Sequence, residues 1–158
     1  MLYASLKTLH LLALIVWLGG MVFVHFFLRP ALGALEAPVR LRLMHDVLGR
    51  FFRAVLLACV VVLGSGVWMM ARMASEAAAL GVKFSMPLSW TIMATLGLLM
   101  MAIFGHIRFA LYKRLTRAVT AAAWPAGGAA LASIRTWVTV NLAIGVVIVA
   151  VTLLGASS

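Results

Sequence analysis

Four long apolar runs divide this chain of 158 residues and restrict the folds it can adopt. They are predicted at about residues 3–28, 51–73, 88–112 and 136–155, and each is near the length that crosses a bilayer as a helix. Lipid offers the backbone no hydrogen-bond partners, so each run must be helical. The sequence therefore predicts an all-α fold, a single integral membrane domain over residues 1–158 built as a four-transmembrane-helix bundle.

The composition excludes a soluble protein, because 66% of residues are hydrophobic, only 10% are charged and the mean hydropathy is +1.18. The net charge of +10 is typical of nucleic-acid-binding proteins, but here the basic residues lie between the apolar runs. In that position they set membrane topology and meet anionic headgroups. The expected partner is the lipid bilayer, and no nucleic-acid partner is expected.

The basic residues also predict an orientation. About five Lys and Arg belong to each of the first and third connectors, residues 29–50 and 113–135 with their edges, against two in the middle connector. The positive-inside rule then places both termini outside the cytoplasm. We expect a multi-pass protein of the bacterial inner (cytoplasmic) membrane. Residues 38–49 are predicted to form a short separate amphipathic helix, and residues 124–128 a turn.

Histidines are the ionisable side chains inside the predicted spans that could bind a cofactor. The three acidic residues all lie in connectors, which argues against a carboxylate site in the membrane. His25 and His106 are near the cytoplasmic ends of spans one and three and are predicted to share one level. His10 lies about 22 Å away along the first helix. His45 is expected to be solvated.

Two histidines at one level on parallel helices can ligate haem iron axially, so His25 and His106 are candidate haem ligands. The alternative is that both are interfacial residues. Each of the other candidates has a cofactor-binding and a purely structural interpretation. The glycines either make room for a haem macrocycle or let helices pack closely, and the arginines either pair with haem propionates or set the membrane topology. The amide either binds a ligand or forms a hydrogen bond between helices. The candidate cofactor-binding residues are His10, His25, His106, Trp17, Gly20, Arg53, Arg135 and Asn141.

Methionines cluster at the opposite level, where five of the ten lie near the end of span two and the start of span three, together with His10. Thioethers suit Cu(I), although methionine also fills apolar interfaces. His10 itself is a candidate haem ligand, a candidate copper ligand or a hydrogen-bonded packing residue. The candidate metal ligands are His10, His25, His106, Met69 and Met93.

Several short motifs link these positions to known families. They are Lys7-Thr-Leu-His10, Trp17-Leu-Gly-Gly-Met21, Arg29-Pro30, Arg50-Phe-Phe52, Gly64-x-Gly66, Met100-Met-x-x-Phe-x-His106, Tyr112-Lys-Arg-Leu115, Ile134-Arg135 and Asn141-Leu142. With them the chain resembles the copper-resistance D (CopD) domain family of bacterial membrane proteins, which implies copper transport or tolerance. The spacing of His10, Trp17 and Gly20 is also similar to that of HemJ-type protoporphyrinogen oxidases, which implies binding of haem b.

The sequence thus leads to a b-type haem-binding membrane redox protein that transfers electrons, with porphyrinogen or quinol oxidation as candidate reactions. If it is an enzyme, it is a haem-dependent membrane oxidoreductase with a porphyrin or quinone partner. The alternative is a CopD-like copper-handling protein with a His/Met site, and a third hypothesis is a structural subunit. Few sulfurs are expected in the cytoplasmic half, which favours haem over copper. Four helices enclose little space for a macrocycle, so a homodimer is also expected.

Overall fold

A computed structural model describes residues 1–83 and 85–154 and confirms the four-span, all-α prediction. The helices are α1 (Leu2–Ala31), α2 (Ala37–Ala79), α3 (Leu88–Thr120) and α4 (Trp124–Leu154), and each is long and apolar enough to cross a membrane. No strand occurs in these two described ranges. The last residue of the predicted fourth span, Gly155, lies outside the described residues.

Helix α2 corrects one prediction, because residues 38–49 do not form a separate amphipathic helix. They continue into the second span as a single helix of 43 residues. No proline interrupts the helix after Pro38, and Gly49 lies against Tyr112, whose hydroxyl oxygen occupies the space that a Cβ would need. At 1.5 Å per residue α2 is about 64 Å long and exceeds the roughly 30 Å hydrocarbon core.

The turn between α3 and α4 lies just before residues 124–128, where the sequence predicted it. Helix α3 ends at Thr120, Ala122 adopts a left-handed φ of 51°, and α4 begins at Trp124. The amide of Ala123 donates to the carbonyl of Ala118 at 2.9 Å, the long bond that closes a left-handed helix terminus. Pro125 then stands in the first turn of α4, where its missing N–H costs nothing.

The four helices pack as two antiparallel hairpins, α1 with α2 and α3 with α4, joined through a common core. A chain of aromatic edge contacts crosses that core: Trp17 to Phe104 at 5.9 Å, Phe104 to Phe52 at 5.8 Å and Phe52 to Tyr112 at 5.4 Å between ring centroids. These side chains come from three helices. The centre of the bundle is therefore filled by packed rings.

Two short π-helical segments interrupt α1 and α3 at equivalent places. The first, Phe23–Leu28, contains His25, and the second, Ile107–Leu111, begins directly after His106. A π turn rotates the following side chains relative to a regular α-helix and is frequent at functional sites.

The fold gathers charge at one end of the bundle. The end of α1, the start of α2, the end of α3 and the start of α4 together carry ten of the 13 Lys and Arg residues. We call this the basic end and the opposite one the far end. By the positive-inside rule the basic end is predicted to face the cytoplasm.

Candidate functional site

The imidazole of His10 lies in the interface between α1 and α2 near the far end. Its Nδ1 is 2.8 Å from the hydroxyl oxygen of Ser65, which is only 4% exposed. The Ser65 hydroxyl donates its single proton to the carbonyl of Val61 at 2.5 Å. With that proton on the Val61 carbonyl, the hydroxyl accepts from His10, and the matching tautomer has the proton on Nδ1.

A further hydrogen bond joins the His10 ring to the backbone of Val62. The ring packs against Gly66, where an added Cβ would lie 3.8 Å from Cε1. Met69 follows Ser65 by one turn of α2 and is half-buried, as is Met93 on α3. The structure thus supports the hydrogen-bonded interpretation of His10, with Ser65 and Val62 of α2 as its partners.

Sulfur also lies deeper in the bundle than the sequence suggested. Met21, Met44 and Met100 are 2%, 2% and 3% exposed and belong to the core. Met100 shares a level with Leu18, because a Cβ on Gly145 would meet both side chains. Met21 follows Leu18 by about 4.5 Å along α1. Met44 lies further towards the basic end, so buried thioethers occur at successive depths.

Hydrophobic periodicity alone could have identified these methionines. Each lies on the apolar face of its helix, but depth and facing direction depend on the partner helices. Among the described residues, Met21 and Met44 are two thioethers in the half nearer the basic end against five near the far end, which agrees with the expectation of few sulfurs there.

His25 and His106 approach the same turn of α4 from different sides. Nδ1 of His25 is 3.5 Å from the Thr139 hydroxyl, whereas the exposed His106 ring lies 5.3 Å from the Trp137 ring. Positions 137 and 139 point about 160° apart around a helix. The two imidazoles do share a level, but these contacts do not bring them together, and haem ligation by the pair stays a prediction.

The remaining cofactor candidates differ in burial and in what they contact. Gly20 packs directly against the ring of Phe51, which occupies the place of a Cβ. Trp17 is buried against Phe104, and Arg53 is exposed.

Two further candidates lie on α4. Arg135 lines a crevice that also contains His25 and Met44. Asn141 is 1% exposed, and its Oδ1 has no hydrogen-bond partner, so the predicted interhelical bond of this oxygen is not formed.

His45 was expected to be solvated, and the structure corrects this. Its ring stacks on Tyr112 at 5.1 Å, its Nε2 forms a hydrogen bond with the Thr116 hydroxyl at 3.1 Å, and the Tyr112 hydroxyl donates to its carbonyl at 3.1 Å. Asp46 lies 3.3 Å from the other ring nitrogen. His45 therefore fastens α2 to α3, a role that sequence could not reveal because the partners are 67 and 71 residues away.

No group of three or more His, Cys, Asp and Glu side chains that could hold a metal ion occurs within residues 1–83 and 85–154. A soft metal ion would instead meet imidazole nitrogen and thioether sulfur. These are the donor types that Cu(I) prefers.

Comparison with known proteins gives one match. The family model of copper resistance protein D (CopD) matches residues 45–154, more than two thirds of the chain. No curated protein and no solved structure shows significant similarity to it. The resemblance to HemJ-type oxidases has no counterpart in these results.

Proposed function

Because the chain belongs to the copper resistance protein D family, we propose that it is a copper-handling membrane protein that takes up Cu(I) as its cargo at His10. The ion is the transported substrate and not a resident cofactor. Methionine thioethers, Met69 and Met93 first, complete its environment near the far end. The protein acts in the bacterial inner membrane, with the far end outside the cytoplasm.

The observation that carries this proposal is the orientation of His10. A metal-binding histidine needs one ring nitrogen without a proton, and a hydrogen bond at the other nitrogen fixes that tautomer. Ser65 supplies this bond and is itself held by the Val61 carbonyl. The arrangement orients an imidazole for a soft ion at the start of a path.

The buried sulfurs support movement beyond that first site. Met100, Met21 and Met44 offer donors inside an otherwise apolar bundle, where a bare cation would be very costly. Thioethers are uncharged and flexible, so they can exchange a soft ion between neighbouring positions without a charge of their own.

The test measures Cu(I) affinity in purified protein by competition with a chromogenic Cu(I) chelator. We expect binding by the natural protein, loss of the high-affinity site in His10→Ala, and weakening by about 10–100-fold in Ser65→Ala, because a supporting hydrogen bond contributes that much to metal affinity. His106→Ala is the matched control, since its ring is exposed against Trp137. Equal affinity of His10→Ala and the natural protein would refute the proposal.

The visible spectrum of the same preparation separates copper from haem. Cu(I) is a closed-shell ion, and a copper carrier expressed with ample haem should show no Soret band. A reducible Soret band that disappears in both His25→Ala and His106→Ala would instead establish the haem hypothesis and overturn the copper assignment.

A further inference from the structure

Three arginines at the basic end surround two adjoining cavities. The larger cavity, of about 340 Å³, is lined by Arg29 and Arg40 together with apolar side chains. The neighbouring crevice is lined by Arg29 and Arg135. Arg29, Met44 and Leu131 belong to both, so the cavities form one continuous groove between α1, α2 and α4.

These three arginines have no acidic partner. The two ion pairs within residues 1–83 and 85–154 join His45 to Asp46 and Arg72 to Glu76. Glu36 caps the start of α2 one turn before Arg40, but its side chain forms no ion pair with it.

The guanidinium groups of Arg29, Arg40 and Arg135 also donate no hydrogen bond within the described ranges, whereas Arg42 lies over the Trp124 ring at 5.2 Å. The three arginines therefore line the two cavities without an acidic or hydrogen-bonding partner from the described part of the chain. Guanidinium groups form strong charge-assisted hydrogen bonds with phosphate and carboxylate, so an anion is the ligand that this cluster favours.

The side chains that line the groove between the arginines indicate what kind of ligand it can hold. Leu41, Met44, Leu131, Ile134 and Val138 are buried apolar residues. The larger cavity lies towards the end of the bundle, and the crevice continues along α4 to Val138 and along α1 to Val24. A ligand that fits has an anionic head for the arginines and an apolar tail that extends towards the membrane interior.

We propose that this groove is a binding site for an anionic phospholipid of the membrane leaflet at the basic end. The phosphodiester lies between Arg29 and Arg40, with Arg135 at its inner side. The crevice encloses only about 20 Å³, so an acyl chain lies along its open apolar wall and not inside it. The cavity volume suits a headgroup and is at the lower end of ligand-pocket sizes. Basic clefts between membrane helices on the cytoplasmic side are known sites for such headgroups. This proposal does not rest on the proposed copper function.

The test compares lipid retention and lipid-induced stabilisation in detergent. Native mass spectrometry counts the phospholipids that remain bound to the natural protein, Arg29→Gln, Arg40→Gln and the double variant. Arg53→Gln is the matched control, because Arg53 is exposed at the same end and lines neither cavity. We expect retention of phosphatidylglycerol to fall about fivefold for each guanidinium removed and to be unchanged in the control.

Thermal unfolding with added ligand identifies the source of the phosphate. Phosphatidylglycerol should raise the unfolding midpoint of the natural protein, while phosphatidylcholine and inorganic phosphate should not. Without lipid, the glutamine variants should unfold at the same or a higher temperature than the natural protein, because like charges are removed. A purely structural role for these arginines would give the opposite sign.

Three results would overturn the proposal. One is equal retention by Arg29→Gln, Arg40→Gln and Arg53→Gln. Another is stabilisation by inorganic phosphate as large as that by the lipid, which would indicate a site for a soluble anion. The third is a porphyrin dicarboxylate that displaces the lipid and binds more tightly. If Arg29→Gln fails to fold, Arg40→Gln and Arg135→Gln test the contacts of the other two arginines.

Discussion

Replacing Gly20 by alanine should destabilise the bundle, while the same change at Gly19 should not. A Cβ on Gly20 would overlap the ring of Phe51, with Cζ at 2.9 Å and Cδ2 at 3.0 Å. A Cβ on Gly19 meets nothing within 4 Å. The two glycines are adjacent in α1, so the gain in helix propensity is the same in both variants and cancels in their difference.

The magnitude follows from overpacking. Forcing an extra methyl group against a packed side chain costs about 1–3 kcal/mol. For a chain of this length that corresponds to a difference of about 2–12 °C between the unfolding midpoints of the two variants. Gly19→Ala should be neutral or slightly more stable than the natural protein, by up to about 1 kcal/mol.

The assay is thermal unfolding in detergent, followed by circular dichroism. A third variant tests the cause: in a Phe51→Leu background the cost of Gly20→Ala should shrink, because the clashing ring is gone. Equal midpoints for Gly19→Ala and Gly20→Ala would refute the reasoning. That result would mean that the Phe51 ring moves aside at little cost.

Three further changes test separate features. Asn141→Leu should raise stability by about 1–3 kcal/mol in thermal unfolding, because it removes a buried oxygen without a donor; a lower midpoint than that of the lipid-facing control Ala143→Leu would show that the amide is bonded. Ala122→Gly should stabilise by about 0.5–1 kcal/mol, because φ is positive there, whereas Ala121→Gly should not. A reporter enzyme that works only outside the cytoplasm should be active when fused to the carboxyl terminus, and activity of a cytoplasmic reporter there would contradict the predicted topology.

The sequence predicts the number and place of the membrane helices well, because long apolar runs leave the backbone no other structure. It predicts helix ends less well. Residues 38–49 are amphipathic and have the composition of an interfacial helix, yet Tyr112 packs on Gly49 and the helix continues. The turn before α4 was assigned to glycines, but the chain turns at Ala122 instead.

The candidate site also has features that the sequence predicts and features that it does not. Counting residues along a helix gives depth, so the common level of His25 and His106 was predictable. The residue count does not give the direction in which a side chain points around its helix. His25 contacts Thr139 and His106 contacts Trp137, on different sides of α4. The partner of His10 was equally inaccessible, because Ser65 is 55 residues away and joins it only when α1 and α2 pair.

The unbroken length of α2 connects the two ends of the molecule mechanically. One rigid helix carries Arg40 and Met44 in the groove at the basic end and Ser65 against His10 near the far end. Met44 and Ser65 are separated by about 32 Å of continuous helix. The helix is continuous between these two positions, so a tilt of α2 as one body moves both. The arginine groove at the basic end and the hydroxyl that contacts the His10 ring are therefore parts of one element, and a displacement of α2 as a whole would move both.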